Sequence, residues 1–462
     1  MRHMAYSKLA SPSRSRADSV AAGLAARDRL PLSSHSRLDS ERARDPLGLL
    51  ASQETARVPE LLPVRHERMR ASAFAFFRGA ALIMADDLAQ QEDSGLTTQL
   101  CGDAHLANFG AYGSPERRLV FDLNDFDETL PGPFEWDVKR LAASIAIAAR
   151  DNGIGDEQAR KTAVATATAY RDAMASFAER PMLEVWYSRV DAGDQLTRLV
   201  EVSNKRLAKN LEKGVGKAKK RTALRALAKL TEVVDGQRRF VPDPPLLVPA
   251  EEIEDLQDFD DLYDWIRVLV EKYTRSLSPE RRWLVENYTL THAARKVVGV
   301  GSVGTRAWVL LMEAHDGADP LLLQAKEATA SVLSSYLGDS EYDNQGQRVV
   351  NGQRVMQAAS DVLLGWQRTE RDGWHRDFYV RQLRDWKYSV DTTGYDAESL
   401  SSYGRLCAWT LARAHARAGD RIAIATYLGD TAEFAEAIGD FSLAYADLTG
   451  LDHAQLLRAN GG

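Results

Sequence analysis

Two polar clusters separated by a strand-like segment constrain the fold of this chain more than any other feature. The first, CGDAHLANFG at residues 101–110, follows a short extended piece, LTTQLC. The second, FDLNDFDE at residues 121–128, ends a run of strand formers. The sequence Pro-Gly-Pro at 131–133 then breaks the chain before a helical pattern begins near Glu135. A loop, a strand, an acidic turn and a helix are therefore predicted in immediate succession.

Helical periodicity flanks these clusters on both sides. From Arg65 onward, apolar residues recur at steps of three and four, which predicts one helix ending near Gln90. The stripe on this helix is formed by Phe74, Phe77, Ala81, Met84 and Leu88. The helix that starts near Glu135 has its own apolar face, formed by Leu141, Ile145 and Ala148.

The residue types in the two clusters suit phosphoryl transfer to a hydroxyl group. In that reaction one carboxylate orients and deprotonates the acceptor, while an amide oxygen and a second carboxylate hold Mg²⁺ against the phosphates. We assign these roles to Asp103 as base, and to Asn108 and Asp125 as metal ligands. Asp122 and Asp127 flank Asp125 and are alternative ligands. Because Asp, Asn and Gly also form ordinary turns, purely structural turns remain the alternative.

A glycine-rich hairpin supplies the other parts that such a site needs. Residues 296–328 contain Gly299, Gly301 and Gly304 as G-x-G-x-x-G, followed by strand formers rather than by the helix of a dinucleotide-binding fold. The next strand-like run, LLLQAKEA, contains Lys326, which would grip nucleotide phosphates. A glycine-bearing hairpin with a solvated lysine is the alternative interpretation.

The order of these parts predicts a rearranged fold. In protein kinases the glycine loop precedes the catalytic loop, whereas here it follows, so we predict a circular permutation. VLLGW at 362–366 and FYVRQLRD at 378–385 would complete the small sheet, with RQLRDWK near the adenine side. Glu341 is the candidate partner of Lys326, since Glu327 is too near in sequence.

The clusters resemble known families. GDAHLAN is similar to the Gly-Asp-x-His-x-x-Asn brace of aminoglycoside phosphotransferases and choline kinases, and DFDETLPGPFEWD to the segment that follows it there. The resemblance implies a catalytic contribution from His105, a metal-binding role for Asp125 and a helix-anchoring role for Asp137. Cys101 stands where the brace usually has His.

A second resemblance covers the chain from about Asp45 onward. It resembles a bacterial family, the domain of unknown function 2252, through FFRGAA, CGDAHLANFG, FDLNDFDE, GPFEWDVKRLAAS, KVVGVGSVGT and VRQLRDWK. This resemblance implies family identity rather than an activity.

Together these patterns predict an α+β, protein-kinase-like two-lobed fold that is circularly permuted. Residues 1–45, rich in Ser, Arg and Ala, would be a disordered tail. Residues 46–290 would form a helical catalytic lobe with a helical insertion, and 291–390 a small antiparallel-sheet lobe that covers ATP. Helices in 391–462 would pack on the large lobe.

Charge and cysteine content limit the partners. A net charge of -7 argues against a nucleic acid partner, since that binding needs clustered positive charge. Two cysteines and no long apolar run favour a cytoplasmic protein without a membrane span. A basic run from Asn204 is interpreted as a solvated helical face, with a platform for an anionic substrate or nucleic acid as the alternative, and an acidic run begins at Glu251.

Two single residues are singled out. Arg78, at the end of an apolar face, would have an anionic partner, either an aspartate of the acidic turn or a phosphate. His415 is interpreted as a packing or hydrogen-bonding residue.

Three functions remain open at this point. An ATP- and Mg²⁺-dependent phosphotransferase, or a nucleotidyl transferase on the same frame, is favoured. A non-catalytic nucleotide-binding module is the second possibility. A metal-dependent phosphoesterase is the third, although such dinuclear sites need several further histidines and the chain has nine, mostly scattered.

Overall fold

The computed structural model describes residues 15–39, 42–191, 216, 223–253, 262–297, 299, 301–314, 319–371, 374–383 and 386–459. Within them the protein is a mixed α+β chain with several antiparallel sheets. Most of the basic run from Asn204 and most of the acidic run from Glu251 lie outside the described residues. None of the described helices is both long and apolar enough to cross a membrane.

The helices fall into three stretches of the chain. Those before residue 190 are α1 (Arg16–Arg29), α2 (Pro46–Glu54), α3 (Leu62–Arg70), α4 (Ala73–Gly79), α5 (Ala81–Ala89), α6 (Phe134–Asp151), α7 (Asp156–Ala178) and α8 (Met182–Tyr187). The middle stretch has α9 (Ala223–Leu230), α10 (Leu262–Thr274), α11 (Pro279–Val285), α12 (Ser334–Leu337) and α13 (Gln345–Met356). The last are α14 (Ala397–Ala418), α15 (Arg421–Leu428) and α16 (Glu433–Ala459).

The long helix predicted from Arg65 to Gln90 is divided into α3, α4 and α5. Ser72 begins a new helix, because its hydroxyl accepts a hydrogen bond from the backbone N–H of Ala75. Ala80 leaves helical geometry, with φ -118° and ψ 36°, and separates α4 from α5. The predicted end is confirmed, since Gln90 caps α5.

A core of long helices forms the body of the protein. Helix α6 begins at Phe134, next to the predicted start, and most of its residues are buried, including the predicted apolar face. The C-terminal helices α14 and α16 pack on α6 and α7. All four of these helices, and the loop after β1, contribute buried residues to one large hydrophobic cluster.

The segment around α1 differs from the predicted disordered tail. Helix α1 begins with a capping box at Ser15 and packs on α15. Its buried face consists of Ser19, Gly23 and Ala26. A Cβ atom at Gly23 would lie 2.5 Å from the backbone oxygen of Ala423, so the two helices are in close contact. The absence of large side chains, which indicated disorder, here permits close packing.

The strands form four antiparallel groups. They are β1 (Thr97–Leu100), β2 (Phe109–Gly113), β3 (Leu119–Leu123), β4 (Leu130–Pro133), β5 (Val190–Asp191), β6 (Thr231–Val234), β7 (Gln237–Phe240), β8 (Leu247–Pro249), β9 (Tyr288–Lys296), β10 (Ala307–Ala314), β11 (Pro320–Ala328), β12 (Gly365–Arg371), β13 (Trp374–Gln382) and β14 (Tyr388–Ser389). The largest sheet has the order β12-β13-β11-β10-β9-β8. The others are β14-β2-β3-β5, β1-β4 and β6-β7.

The large sheet contains the predicted glycine hairpin. Strands β9 and β10 pair antiparallel on either side of residues 297–306, and β11 returns beside β10. Lys326 lies opposite Ala307 on one side and Tyr379 on the other, so it occupies a central strand.

The boundary predicted at residue 291 differs from the observed packing. Strand β8 pairs with β9, and the buried residues of α10 share a cluster with those of the large sheet. Helix α9 packs on β11. Residues 223–253 and 262–285, predicted as part of the helical insertion, therefore belong to the sheet region of the molecule.

Candidate functional site

The Gly-Asp loop begins where β1 ends beside β4. The backbone N–H groups of Cys101 and Gly102 donate to the Asp137 carboxylate at 2.6 and 3.0 Å. Gly102 has φ +84°, and a Cβ atom there would lie 2.2 Å from the backbone oxygen of Glu128, so glycine is required. His415 Nε2 lies 3.2 Å from Asp137 Oδ2, which confirms a hydrogen-bonding role for that histidine. The first turn of α6 thus fixes the loop.

Asp103 projects from this loop and is held by Arg140. The guanidinium group of Arg140, on α6, lies 2.8 Å from Asp103 Oδ1 and stacks on the Phe77 ring. Burial raises the pKa of Asp103 to about 6, although Arg140 opposes this rise. The Asp103 side chain keeps 19% of its surface exposed. It is therefore a partly accessible carboxylate that changes charge near neutral pH.

Asn108 is bound to the backbone of the same loop. Its Nδ2 atom donates to the backbone oxygen of Asp103 at 2.6 Å, while the Asn108 backbone oxygen accepts from Asn124 at 2.8 Å. Asn108, five residues after Asp103, therefore closes a compact loop that is tied to the acidic turn. Since the amide nitrogen is engaged, Oδ1 is the atom of Asn108 that could act as a ligand.

His105 lies beside the catalytic candidate but is neutral. Its Nε2 atom is 3.6 Å from Asp103 Oδ2, and its side chain is buried. Burial, with Arg78 and Arg140 nearby, lowers the pKa of His105 well below its ordinary value. The ring therefore suits positioning of Asp103 better than proton donation.

The acidic turn and Lys326 meet directly. Lys326 Nζ donates to Asp127 Oδ2 and lies 4.0 Å from Asp125 Oδ1. Burial alone would lower the pKa of Lys326, but the charges of Asp125 and Asp127 outweigh it and raise the pKa. Burial alone would raise the pKa of Asp127, but the charge of Lys326 outweighs burial and lowers that pKa. Both groups are therefore charged at neutral pH.

The two aspartates differ in accessibility. The side chain of Asp127 is 26% exposed and that of Asp125 is 35% exposed, whereas that of Lys326 is only 3% exposed. Cys101 Sγ donates to the backbone oxygen of Asp125 at 3.2 Å and so connects the Gly-Asp loop to the acidic turn. Asp125 is thus the more open carboxylate and is fixed through its backbone.

The ion pair has partners that sequence reasoning missed. The Tyr379 hydroxyl donates to Asp127 Oδ1 at 2.8 Å, and Lys326 also donates to Ser302 Oγ at 2.7 Å. Arg381 donates to Gln324 Oε1 at 3.2 Å from the same face of the sheet. Tyr379 and Arg381 lie within the FYVRQLRD run, where alternation along a strand could have indicated a shared face. No local pattern identified Ser302 or Arg140.

The glycine-rich loop is held by the residues before and within α3. Val58 N–H donates to the Gly304 backbone oxygen at 2.8 Å, and three arginines bind neighbouring carbonyl groups. These donors are Arg57 to Val303, Arg65 to Gly301 and Arg68 to Gly299. These bonds fix the glycine-rich loop against the segment that contains the three arginines.

Glycine is required at one point of this loop and closely packed at another. Gly304 has φ +92°, and an added Cβ would lie 2.9 Å from the Arg57 side chain. At Gly301 the added atom would lie 3.1 Å from the backbone oxygen of Arg78. The loop therefore contacts the chain segment that contains Arg78.

Arg78 lies near enough to Asp103 and Asp125 to feel their charges, but it forms no close ion pair with either. Within the described part of the chain it has no carboxylate partner within 4.0 Å, and its Nε atom is buried without a hydrogen bond. Burial lowers its pKa, while Asp103 and Asp125 oppose this. The sequence predicted either an aspartate of the acidic turn or a phosphate as the partner of Arg78. No close ion pair with an aspartate is found among the described residues, and the phosphate stays a prediction.

Asp122 is removed from the candidate ligands by its surroundings. It is fully buried, its Oδ1 accepts from Arg413, and its Oδ2 accepts from Ala358 N–H at 2.8 Å. Both oxygens are therefore occupied. The carboxylate stabilises the buried guanidinium rather than facing a ligand.

Glu341 is not the partner of Lys326. Glu341 is exposed, and the carboxylates nearest to Lys326 are Asp127 and Asp125. Glu327, which points to the opposite face of β11, accepts hydrogen bonds from Arg306 and Arg376 instead.

Asn108 Oδ1 and the open carboxylate of Asp125 are hard oxygen donors of the kind that Mg²⁺ prefers. Among the described residues there is no group of three or more His, Cys, Asp and Glu side chains arranged to hold a metal ion. A metal at this site would therefore take its remaining ligands from a substrate or water, as Mg²⁺ commonly does.

Comparison with known proteins gives one match. A family model described as an uncharacterized protein conserved in bacteria (DUF2252) matches residues 57–459. No curated protein and no solved structure matches the chain. The matched region includes all the candidate site residues.

Proposed function

The chain belongs to the bacterial family DUF2252, and we propose that it is an ATP- and Mg²⁺-dependent phosphotransferase on a circularly permuted, two-lobed kinase-like frame. The observation that supports this most is the contact between Lys326 and Asp127, which are 199 residues apart. This contact brings the strand of the glycine hairpin next to the acidic turn, which supports a single site built from segments that are distant in sequence.

The proposed roles follow from charge and accessibility. Lys326 and Arg78 would bind the phosphates, with the N–H groups of the glycine loop completing the cradle. Asn108 and Asp125 would hold Mg²⁺, which neutralises phosphate charge when bound. Asp127 keeps Lys326 charged and directed toward the acidic turn. When ATP binds, the Lys326 ammonium group would contact both the Asp127 carboxylate and the phosphates.

Asp103 would act as the base. The acceptor hydroxyl oxygen forms a bond to the γ-phosphorus while the bond from that phosphorus to the bridging oxygen breaks and ADP leaves. The hydroxyl proton moves to the Asp103 carboxylate. Arg140 and Asp137 position this carboxylate, the first through Oδ1 and the second through the loop backbone.

A circular permutation would account for the order of these parts along the chain. Strands β9, β10 and β11, helix α13, and strands β12 and β13 would form the nucleotide-covering lobe, and α14 would lead back to the helical lobe. In this arrangement the glycine loop, the strand with Lys326 and the catalytic loop would meet as they do in a kinase. The catalytic loop, however, precedes the glycine loop in the sequence.

The experiment that tests the proposal compares turnover with binding. We expect wild-type protein to release ADP from MgATP slowly, even with water as acceptor, and Asp103→Asn to lose most of this turnover while it still binds MgATP. Asp156→Asn, an exposed aspartate on α7 with a side chain 64% exposed, is the matched control. Unchanged turnover in Asp103→Asn would contradict the role of Asp103.

The products separate the alternatives. Release of ADP supports phosphoryl transfer, whereas pyrophosphate release would show nucleotidyl transfer on the same frame. Binding of MgATP without any turnover would favour the non-catalytic module.

A further inference from the structure

A cavity lies on the face of the large sheet opposite the candidate site. Successive residues of a strand point to opposite faces, so Lys326 faces the candidate site while Ala325 and Glu327 face away. On that far side, α10 packs on the sheet and leaves a cavity of about 230 Å³. Because protein interiors contain few spaces larger than a water molecule, a cavity of this size indicates a binding site.

The walls of this cavity are mainly apolar and aromatic. The sheet contributes Trp308 and Phe378, and α10 contributes Trp265, Ile266 and Leu269. Such walls bind a ligand chiefly by removing its apolar surface from water. An engineered apolar cavity of about 150 Å³ accommodates benzene, so a cavity of about 230 Å³ suits a bicyclic aromatic ring.

The charged side chains of the described wall take part in ion pairs. They are Glu60, Arg295, Arg306 and Arg376. Arg295 pairs with Glu60 at 2.8 Å, while Arg306 and Arg376 pair with Glu327 at 3.4 and 3.1 Å. A charged ligand would lose its hydration among apolar side chains and would compete for charges that are already paired. The wall therefore favours a neutral ligand.

A buried amide group supplies a specific polar contact. Gln367 and Thr369 both line the cavity and are only 8% and 2% exposed. The Nε2 atom of Gln367 donates to Thr369 Oγ1 at 3.1 Å, which uses one of the two N–H bonds of the amide group. Among the described residues this amide group has no second acceptor, so its other N–H can donate to a ligand. A few polar groups in an otherwise apolar wall are typical of small-molecule sites, where they fix the orientation of the ligand.

We propose that this cavity binds a neutral aromatic molecule of about two fused rings with one oxygen atom that accepts a hydrogen bond from Gln367. The rings lie among the tryptophan and phenylalanine side chains, and the oxygen lies beside the amide group. This proposal does not depend on the function proposed for the other face of the sheet.

Calorimetric titration of the full chain tests the proposal with three probes of similar size: 2-naphthol, naphthalene and 2-naphthoate. We expect 2-naphthol to bind, and naphthalene to bind about fivefold more weakly, because it lacks the oxygen atom. We expect 2-naphthoate to bind about tenfold more weakly than 2-naphthol, because its charge must be dehydrated.

A substitution of Gln367 separates recognition from a structural effect. Gln367→Met keeps the length of the side chain but removes the amide group, so 2-naphthol should bind about fivefold more weakly and naphthalene as it does to the wild type. A merely structural role of Gln367 would weaken binding of both probes. Gln353→Met is the matched control, since Gln353 is a buried glutamine on α13 outside the described cavity wall, and it should leave binding of both probes unchanged.

Cavity-filling substitutions locate the site independently. Ala293 and Ala325 line the cavity and are buried, so Ala293→Leu and Ala325→Leu should each abolish binding of 2-naphthol, with circular dichroism to check that each variant is folded. Lack of 2-naphthol binding to the wild type would overturn the proposal. So would equal affinity for 2-naphthol and 2-naphthoate, a 2-naphthol affinity that Gln367→Met leaves unchanged, or binding that persists in a folded cavity-filling variant.

Discussion

The acidic segment 122–127 has two ends that are chemically alike and structurally opposite. Asp122 lies in the core with its side chain 1% exposed, paired with an equally buried Arg413. Asp127, five residues later, keeps 26% of its side chain exposed and pairs with Lys326 from a distant strand. Asp125, between them, is more open still at 35%.

The difference shows how a scaffold carboxylate is distinguished from a site carboxylate. Both oxygens of Asp122 are occupied by donors from its own surroundings, so the residue has no capacity left for a ligand. Asp125 is close to cations but not enclosed by them. Unsatisfied capacity combined with accessibility, rather than residue type, identifies the candidate site.

The largest expected effect is a loss of stability on substitution of Asp122, the buried end of the acidic segment. Asp122→Ala would leave the Arg413 guanidinium buried and unpaired, which we expect to lower the free energy of unfolding by about 3–5 kcal/mol. Urea unfolding measures this loss, and the double variant Asp122→Ala, Arg413→Met should recover part of it. A loss as small as that of an exposed substitution would show that the two ends do not differ in this way.

The next effect is on the site end. Lys326→Met removes the cation but keeps the apolar length of the side chain, so we expect MgATP binding to weaken by about tenfold to a hundredfold. The urea midpoint should shift less than for Asp122→Ala, because Asp127 retains Tyr379 and water as partners. Retained affinity for MgATP would remove Lys326 from the proposed phosphate site.

A pH profile sharpens the comparison at Asp103. A base must be ionised, and burial raises the pKa of Asp103 to about 6. Below that pH the carboxyl group is protonated, so turnover should fall about tenfold per pH unit, while above it turnover should level off. Turnover measured across this range, with MgATP affinity followed in parallel, checks the prediction. A flat profile would contradict the assignment of Asp103 as base.

The smallest effect is expected at Glu341. Because Glu341 is exposed and Lys326 pairs with the acidic turn, Glu341→Gln should change stability by less than about 0.5 kcal/mol and leave MgATP binding unchanged. A clear loss of binding would mean that Lys326 changes partners when a nucleotide is present.

Local patterns predicted the parts of the fold that are determined locally. The start of α6, the strand Leu119–Leu123 and the hairpin before Lys326 all follow from turn residues and short-range periodicity.

Features set by tertiary contacts were not predictable in the same way. The roles of Asp122 and Asp127 depend on Arg413 and Lys326, both about 200 or more residues away. The sequence alone could not show which of these aspartates lies at the candidate site and which lies in the core. The two interruptions of the helical region, at Ser72 and Ala80, were not predicted, and neither was the packing of α1. Both features depend on small residues, which are compatible with helices, turns and disordered segments alike. Residues 223–253 and 262–285 were assigned to the helical lobe because their packing on the large sheet leaves no local pattern in the sequence.

The most direct test of the account is calorimetric titration of ATP, with and without Mg²⁺, into the wild type, Asp125→Ala and Lys326→Ala. Asp156→Ala and Lys161→Ala, both exposed on α7, are matched controls. The account predicts Mg²⁺-dependent binding that both site substitutions weaken and both controls retain. Absence of ATP binding under every condition, or binding that neither Asp125→Ala nor Lys326→Ala changes, would contradict it.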